Sequence, residues 1–156
     1  MKYVGYYETA AGRIGIAEEN GYITEVSLRA DKAPPGAVAQ ETPLLKRAAR
    51  QLEQYFAGER REFDLPLAPA GTEFQRRVWS ALQTIPYGET RSYGEIAAQT
   101  GNPKACRAVG MANNRNPIAI IIPCHRVIGA DGSLTGYGGG VPMKSRLLEL
   151  EAGAKG

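Results

Sequence analysis

The chain has 156 residues, 43% apolar and 22% charged, which is the makeup of an ordinary globular protein sized for one compact unit or two small lobes. No apolar run approaches the ~20 residues of a membrane-spanning helix, and Met1–Gly5 lacks the apolar core of a signal peptide, so a cytoplasmic protein away from the membrane is expected. A net charge of +3 permits nucleic-acid binding without demanding it. Two cysteines and one histidine argue against a disulfide scaffold and against a Cys/His zinc site, and leave a reactive thiol open.

In chain order, residues 1–28 read as strands. Tyr3 to Tyr7 is β-prone, and Gly12-Arg13-Ile14-Gly15-Ile16-Ala17 alternates. Asn20-Gly21 separates that run from Tyr22–Val26; both residues tolerate positive φ, which predicts a tight hairpin. Residues 31–40, with Asp31, Pro34, Pro35 and Gly36, read as a loop. Thr42 is placed to cap a helix with Pro43 at its first position. Leu44, Leu45, Ala48, Leu52, Tyr55 and Phe56 follow at helical spacing, and Gly58 ends the helix. Residues 59–70 read as an extended linker between two lobes.

From Gly71 the pattern turns helical. Thr72 is an N-cap candidate, Phe74, Val78, Trp79 and Leu82 share a face, and Ile85-Pro86-Tyr87-Gly88 ends the helix. Ser92 should cap a helix over Tyr93–Gln99, with Glu95 completing a capping box. Gly101 breaks the chain, and Asn102-Pro103 opens a second helix from Lys104 to about Asn113. A short helix, a glycine turn and a second helix make the helix-turn-helix pattern. Lys104, Arg107 and Arg115 make this stretch basic. Asn116 to Pro123 is an apolar run held between two prolines and is expected to be buried and extended. Residues 129–140 are glycine-rich and form a loop, and Met143–Leu150 reads as the closing helix.

Chemistry centres on Cys124-His125. A thiol has a pKa near ~8.5, and only its thiolate attacks carbon efficiently. An imidazole can take the proton, and a carboxylate can orient the imidazole. Taken alone, the pair reads first as a buried cysteine beside a partly exposed histidine. Its setting favours function: Pro123 disfavours a helix before the cysteine, and the chain there leaves an apolar run for a flexible loop.

Pro123-Cys124-His125-Arg126-Val127 resembles the signature of the O6-alkylguanine-DNA alkyltransferases, also called methylated-DNA–protein-cysteine methyltransferases. Gly71-Thr72-x-Phe74-Gln75-x-x-Val78-Trp79, Ile85-Pro86-x-Gly88, Ser92-Tyr93, Arg107-Ala108-Val109-Gly110, Asn116-Pro117, Gly136-Tyr137-x-x-Gly140 and Lys144-x-x-Leu147-Leu148-x-x-Glu151 fall in the same order and spacing. The resemblance is close over residues 71–152 and a matter of pattern before that. It implies an α+β protein: an N-terminal lobe over 1–65, ribonuclease H-like, with a small antiparallel sheet and a helix, and a mostly helical, winged-helix-like lobe over 71–156 that carries the helix-turn-helix.

The resemblance also implies roles. Cys124 accepts the alkyl group, His125 takes its proton through a water, and Glu151 holds the histidine. Asn116 fixes the turn near the cysteine. Tyr93 crowds the backbone to rotate the nucleotide and donates to the departing guanine. Arg107 fills the gap in the base stack, and the small residues Ala105, Cys106, Ala108 and Gly110 let its helix approach the minor groove. Ser92 and Lys104 join the DNA-contacting set. Tyr137 closes over the extruded base. Gly138 stands where relatives often carry a hydrogen-bonding side chain, which implies a wider pocket. The expected partner is double-stranded DNA containing O6-alkylguanine, with O4-alkylthymine a second candidate lesion. A monomer is expected, cooperative assembly on DNA being left open, with no metal and no cofactor. Two other classes compete: a helix-turn-helix module without catalysis, and a thiol hydrolase.

Overall fold

The computed structural model describes residues 1–28, 34–134 and 140–155. Two compact units share the chain: Met1–Ala70 with Pro117–Ile121, and Gly71–Asn116 with Ile122 onward.

The first unit begins with β1 (Lys2–Thr9), β2 (Gly12–Glu19) and β3 (Tyr22–Ser27) in an antiparallel meander. Asn20 and Gly21 turn the second hairpin with φ of 55° and 82°, the double positive-φ geometry that Asn-Gly favours. A short strand, β4 (Ala37–Ala39), pairs parallel with β1, so the sheet runs β3-β2-β1-β4. The loop expected over 31–40 is therefore shorter at its C-terminal end. β4 takes up backbone groups on the outer edge of β1 that would otherwise stand unpaired, and Gln40 N–H extends the ladder to Val4 O.

Helix α1 (Pro43–Phe56) starts where Thr42 and Pro43 require: Thr42 Oγ1 accepts from Leu45 N–H and its hydroxyl donates to Glu18 Oε2 at 2.8 Å. Leu45, Ala48, Leu52 and Tyr55 are buried toward the sheet. At its end Gly58 (φ 77°) and Glu59 return N–H groups to Tyr55 O and Gln54 O, a Schellman closure. The outer edge of β3 is covered by two irregular pieces. Ile23 exchanges hydrogen bonds with Pro66 and Ala68, and Val26 with Pro117 and Ala119.

The second unit holds α2 (Glu73–Leu82), α3 (Tyr93–Gln99), α4 (Cys106–Asn114) and α5 (Val141–Lys155), with a two-residue parallel pair of β5 (Arg91–Ser92) and β6 (Val127–Ile128). The expected capping box of Ser92 with Glu95 forms, and Thr72, expected as an N-cap, makes a capping box as well, with Gln75. Val78, Trp79, Leu82, Ile96, Val109, Ala112 and Leu147 make the core, and Trp79 Nε1–H donates to Ala112 O at 2.9 Å.

Three elements differ from the sequence reading. The second helix of the pair begins at Cys106 rather than Lys104, because Asn102 Oδ1 accepts from Lys104 N–H and Asn102 O from Ala105 N–H, holding this stretch in a turn. The closing helix is longer at both ends than 143–150 and carries Glu151 within it. The run before Cys124 is buried as expected but turns rather than extends. Ile120 sits at φ 70° with Ile121 N–H bonded to Ala119 O. Pro123, at φ −81° and ψ 64°, lets Cys124 N–H bond Ile122 O, an inverse γ-turn. A β-branched residue at positive φ is a strained conformation of a kind that clusters near functional sites.

Candidate active site

The inverse γ-turn at Pro123 delivers the chain into one 3-10 turn, Cys124–Arg126, and β6 follows at once. Pairing of β6 with β5 ties this turn to Ser92, which caps α3, whose first residue is Tyr93. The end of α4 grips the same turn: Asn113 Nδ2 donates to Cys124 O at 3.2 Å. Just beyond the helix, Asn116 Nδ2 donates to Ile122 O at 2.8 Å, and the Asn116 side chain also hydrogen-bonds the Cys124 side chain.

His125 is fully buried, and its Nε2 lies 2.7 Å from Glu151 Oε2. Glu151 is not the solvated helix carboxylate that its place near the end of the chain suggests; it is 1% exposed. Arg126 holds it with a two-pronged grip, Nε to Oε1 at 2.8 Å and Nη2 to Oε2 at 3.0 Å, while Nη1 donates to Ile85 O at 2.7 Å. Gly88 N–H adds a bond to Oε1 at 3.3 Å. With the carboxylate filled by donors, Nε2 carries the hydrogen and Nδ1 is left as the acceptor. Nδ1 is buried and has no hydrogen-bond partner among the described residues.

The electrostatics keep this pair neutral. Burial pushes the Cys124 thiol up to about 11, against the opposing pull of the Asn116 hydrogen bond and the Lys144 charge. Burial also lowers His125, Glu151 works against that, and Arg126 and Lys144 add to it. At neutral pH the site therefore holds a thiol beside a neutral imidazole, and a thiolate forms when its proton has somewhere to go. Lys144, buried on α5, is itself pulled down by desolvation and partly restored by Cys124.

Cys124, His125, Glu151 and Asn116 are thus brought together. Tyr93 is half-buried, its ring packed where a side chain at Gly110 of α4 would touch it. Arg107, Lys104 and Cys106 are exposed and Ala105 half-buried around the start of α4. Ser92 is engaged as the N-cap of α3. Tyr137 and Gly138 lie outside the described residues. Sequence reasoning left Arg126, Asn113 and Lys144 without roles. Arg126 and Lys144 stood within matched motifs, and Lys144 lies two helical turns from Glu151, but nothing local marks Asn113.

Among the described residues no group of three His, Cys, Asp or Glu side chains could hold a metal, and no helix is long and apolar enough to cross a membrane. The second unit thus carries the two helices of the expected helix-turn-helix, α3 and α4, together with a buried thiol next in sequence to a buried histidine–glutamate pair. Two family profiles match the chain: 6-O-methylguanine DNA methyltransferase, ribonuclease-like domain, over residues 2–69, and 6-O-methylguanine DNA methyltransferase, DNA binding domain, over 73–153. A methylated-DNA–protein-cysteine methyltransferase of Methanosarcina acetivorans is 55% identical over 152 residues, 96% of this chain and 97% of that protein. The constitutive one of Bacillus subtilis is 49% identical, covering 97% and 96%. A crystal structure of Mycobacterium tuberculosis OGT in complex with DNA is 50% identical and superimposes with a TM-score of 0.91, covering 97% of this chain and 94% of that one. The chain belongs to the 6-O-methylguanine DNA methyltransferase family.

Proposed function

We propose that this protein repairs DNA by direct reversal, transferring the alkyl group of O6-alkylguanine once and irreversibly to Cys124. The observation that carries the reading is the buried His125–Glu151 pair next in sequence to the buried Cys124, in a chain of this family. The O6 substituent lies within the base pair, so the nucleotide must leave the stack, at a cost of a few kcal/mol. Arg107, exposed on α4, fills the gap, and Tyr93 stands at the rotated backbone. Phosphate contacts by Lys104 and its neighbours give salt-sensitive, sequence-independent binding.

In the reaction the Cys124 proton passes, through a water, to Nδ1 of His125, whose Nε2–H stays on Glu151. The sulfur forms a bond to the alkyl carbon as the carbon–O6 bond breaks, and that electron pair goes to the guanine, which Tyr93 stabilises by donating a hydrogen bond. Asn116 stabilises the sulfur as its charge rises. The product is a thioether, which neither water nor thiols cleave, so each molecule acts once. The DNA supplies the alkyl group, and no cofactor takes part. The partner is double-stranded DNA bound by a monomer.

Incubation with a duplex containing O6-methylguanine, followed by intact-protein mass, tests the reading. The expected result is a gain of one methylene that maps to Cys124 and vanishes in Cys124→Ala. Binding without mass gain would leave only a DNA-binding module, and repeated ester turnover a hydrolase. The same assay over a series of O6 substituents tests the wide pocket inferred from Gly138, which a steep loss of rate with size would contradict.

A further inference from the structure

Helix α4 turns Val109, Ala112 and Asn113 into the core. At about 100° per residue, Arg107 and Met111 point away from those three, and, four residues apart, they are neighbours on one outward ridge. The positions between them add little bulk: Ala108 is exposed and small, and Gly110 has no side chain. Met111 is 57% exposed on this ridge. Among the described residues of the second unit, Val141, at 40%, is the only other large apolar side chain left exposed. A lone apolar residue on a surface needs no explanation by itself. This one shares its ridge with the arginine proposed for the base stack, on a helix whose other outward positions are small, polar or charged.

A helix with its side chains is about 10–12 Å across, while the minor groove of B-form DNA is about 6 Å wide, so α4 enters that groove only where the groove opens. Proteins that open it press apolar side chains, methionine among them, against or between base steps, which unstack and bend away. With Arg107 at the gap left by the extruded nucleotide, Met111 stands about 6 Å further along the helix, less than two base-pair rises of about 3.4 Å. It therefore meets the groove beside the same lesion. We infer that Met111 is an apolar wedge for duplex DNA: packed on the sugars and base edges next to the gap, it holds the groove open while the base is out. Its unbranched, flexible thioether chain moulds to a groove wall of any sequence. Burying the exposed part of a methionine side chain corresponds to about five- to fifteenfold in affinity, none of it from counterion release. The inference deepens the proposed alkyl transfer and rests on that reading for its partner.

The test is binding to a duplex carrying one O6-methylguanine, read by fluorescence anisotropy from about 50 to about 200 mM salt, in a Cys124→Ala background that leaves the lesion intact. Met111→Ala should weaken binding about five- to fifteenfold at every salt concentration, leaving the slope of log affinity on log salt unmoved. Lys104→Ala, which removes a phosphate contact, should make that slope shallower by about one. Met111→Leu keeps the apolar bulk and should stay within about threefold of the parent. Alanine is the better helix former, so a frayed α4 would not explain the loss, and urea midpoints check this. With Cys124 restored, Met111→Ala should slow single-turnover methyl transfer from the duplex by a like factor and leave transfer from the free O6-methylguanine base within about twofold. An alanine variant that binds and repairs as well as its parent, a leucine variant as weak as the alanine one, or equal slowing on duplex and free base overturns the wedge. A protein that keeps Met111 and Cys124 yet neither binds the duplex nor takes its methyl sinks the alkyl-transfer reading itself.

Discussion

Replacing Glu151 by glutamine separates its two tasks. The carboxylate accepts from His125, twice from Arg126 and once from Gly88, at 2.7, 2.8, 3.0 and 3.3 Å. An amide keeps one acceptor oxygen and turns the other into a donor, so it opposes either the His125 N–H or the Arg126 guanidinium. Loss of a charge-assisted bond to the imidazole costs about 1.5–3 kcal/mol. If that loss falls on the transition state, the rate of methyl transfer drops about 10- to 150-fold. Arg126, 7% exposed, would be left without its counter-charge, at a further cost of about 3–5 kcal/mol of stability. The experiment is single-turnover transfer from an O6-methylguanine duplex, read by protein mass, alongside urea unfolding of the same sample. A folded variant whose rate stays within about twofold of wild type would refute the proton-holding role of this histidine–glutamate pair.

Gly71→Ala should destabilise by about 1–3 kcal/mol through overpacking, since its new carbon would lie 2.5 Å from the Trp79 ring and 2.7 Å from Gln75 Oε1; an unchanged urea midpoint would show that the neighbours yield freely. Arg107→Ala should slow transfer from duplex DNA far more than from free O6-methylguanine base, and equal slowing on both would remove its role in base extrusion. Stability should fall at both pH extremes. The Cys124 thiol is raised from an ordinary 9.0 to about 11, so its contribution is whole below about pH 9 and lost as pH rises through 11. His125 is lowered, so its contribution is whole above its ordinary 6.5 and lost as pH falls toward the folded value. Wild type minus Cys124→Ala should isolate the alkaline limb in urea titrations, and a flat difference from pH 8 to 11 would contradict it.

Much of the local structure is written in short-range chemistry. Thr42-Pro43, Thr72 with Gln75, and Ser92 with Glu95 each place a helix start, because the partners lie within one turn of each other. β4 was hidden because Ala37-Val38-Ala39 has no strand pattern of its own; it becomes a strand only where β1 offers an edge. The left-handed Ile120 was invisible for a similar reason, since nothing about isoleucine favours that conformation. In the site, Cys124 and His125 announced themselves by type. Arg126 and Asn113 did not, since their partners, Glu151 and a backbone carbonyl, are set by tertiary packing. Glu151 and Lys144 run against the usual rule that charges on a helix point to water, so periodicity alone assigns them to the wrong face.

Cys124 is only 5% exposed, in a turn gripped by two asparagines. A sulfur that gains a carbon there must push against its neighbours, and overpacking of this kind costs about 1–3 kcal/mol. Even 1–2 kcal/mol multiplies the unfolded fraction about 5- to 30-fold. Methylated and fresh protein, compared by urea midpoint and by protease susceptibility, should differ accordingly, and equal values would show that the turn has room to spare. A spent molecule would then differ from a fresh one in how long it survives: the record of a completed repair is kept in the lifetime of the protein itself.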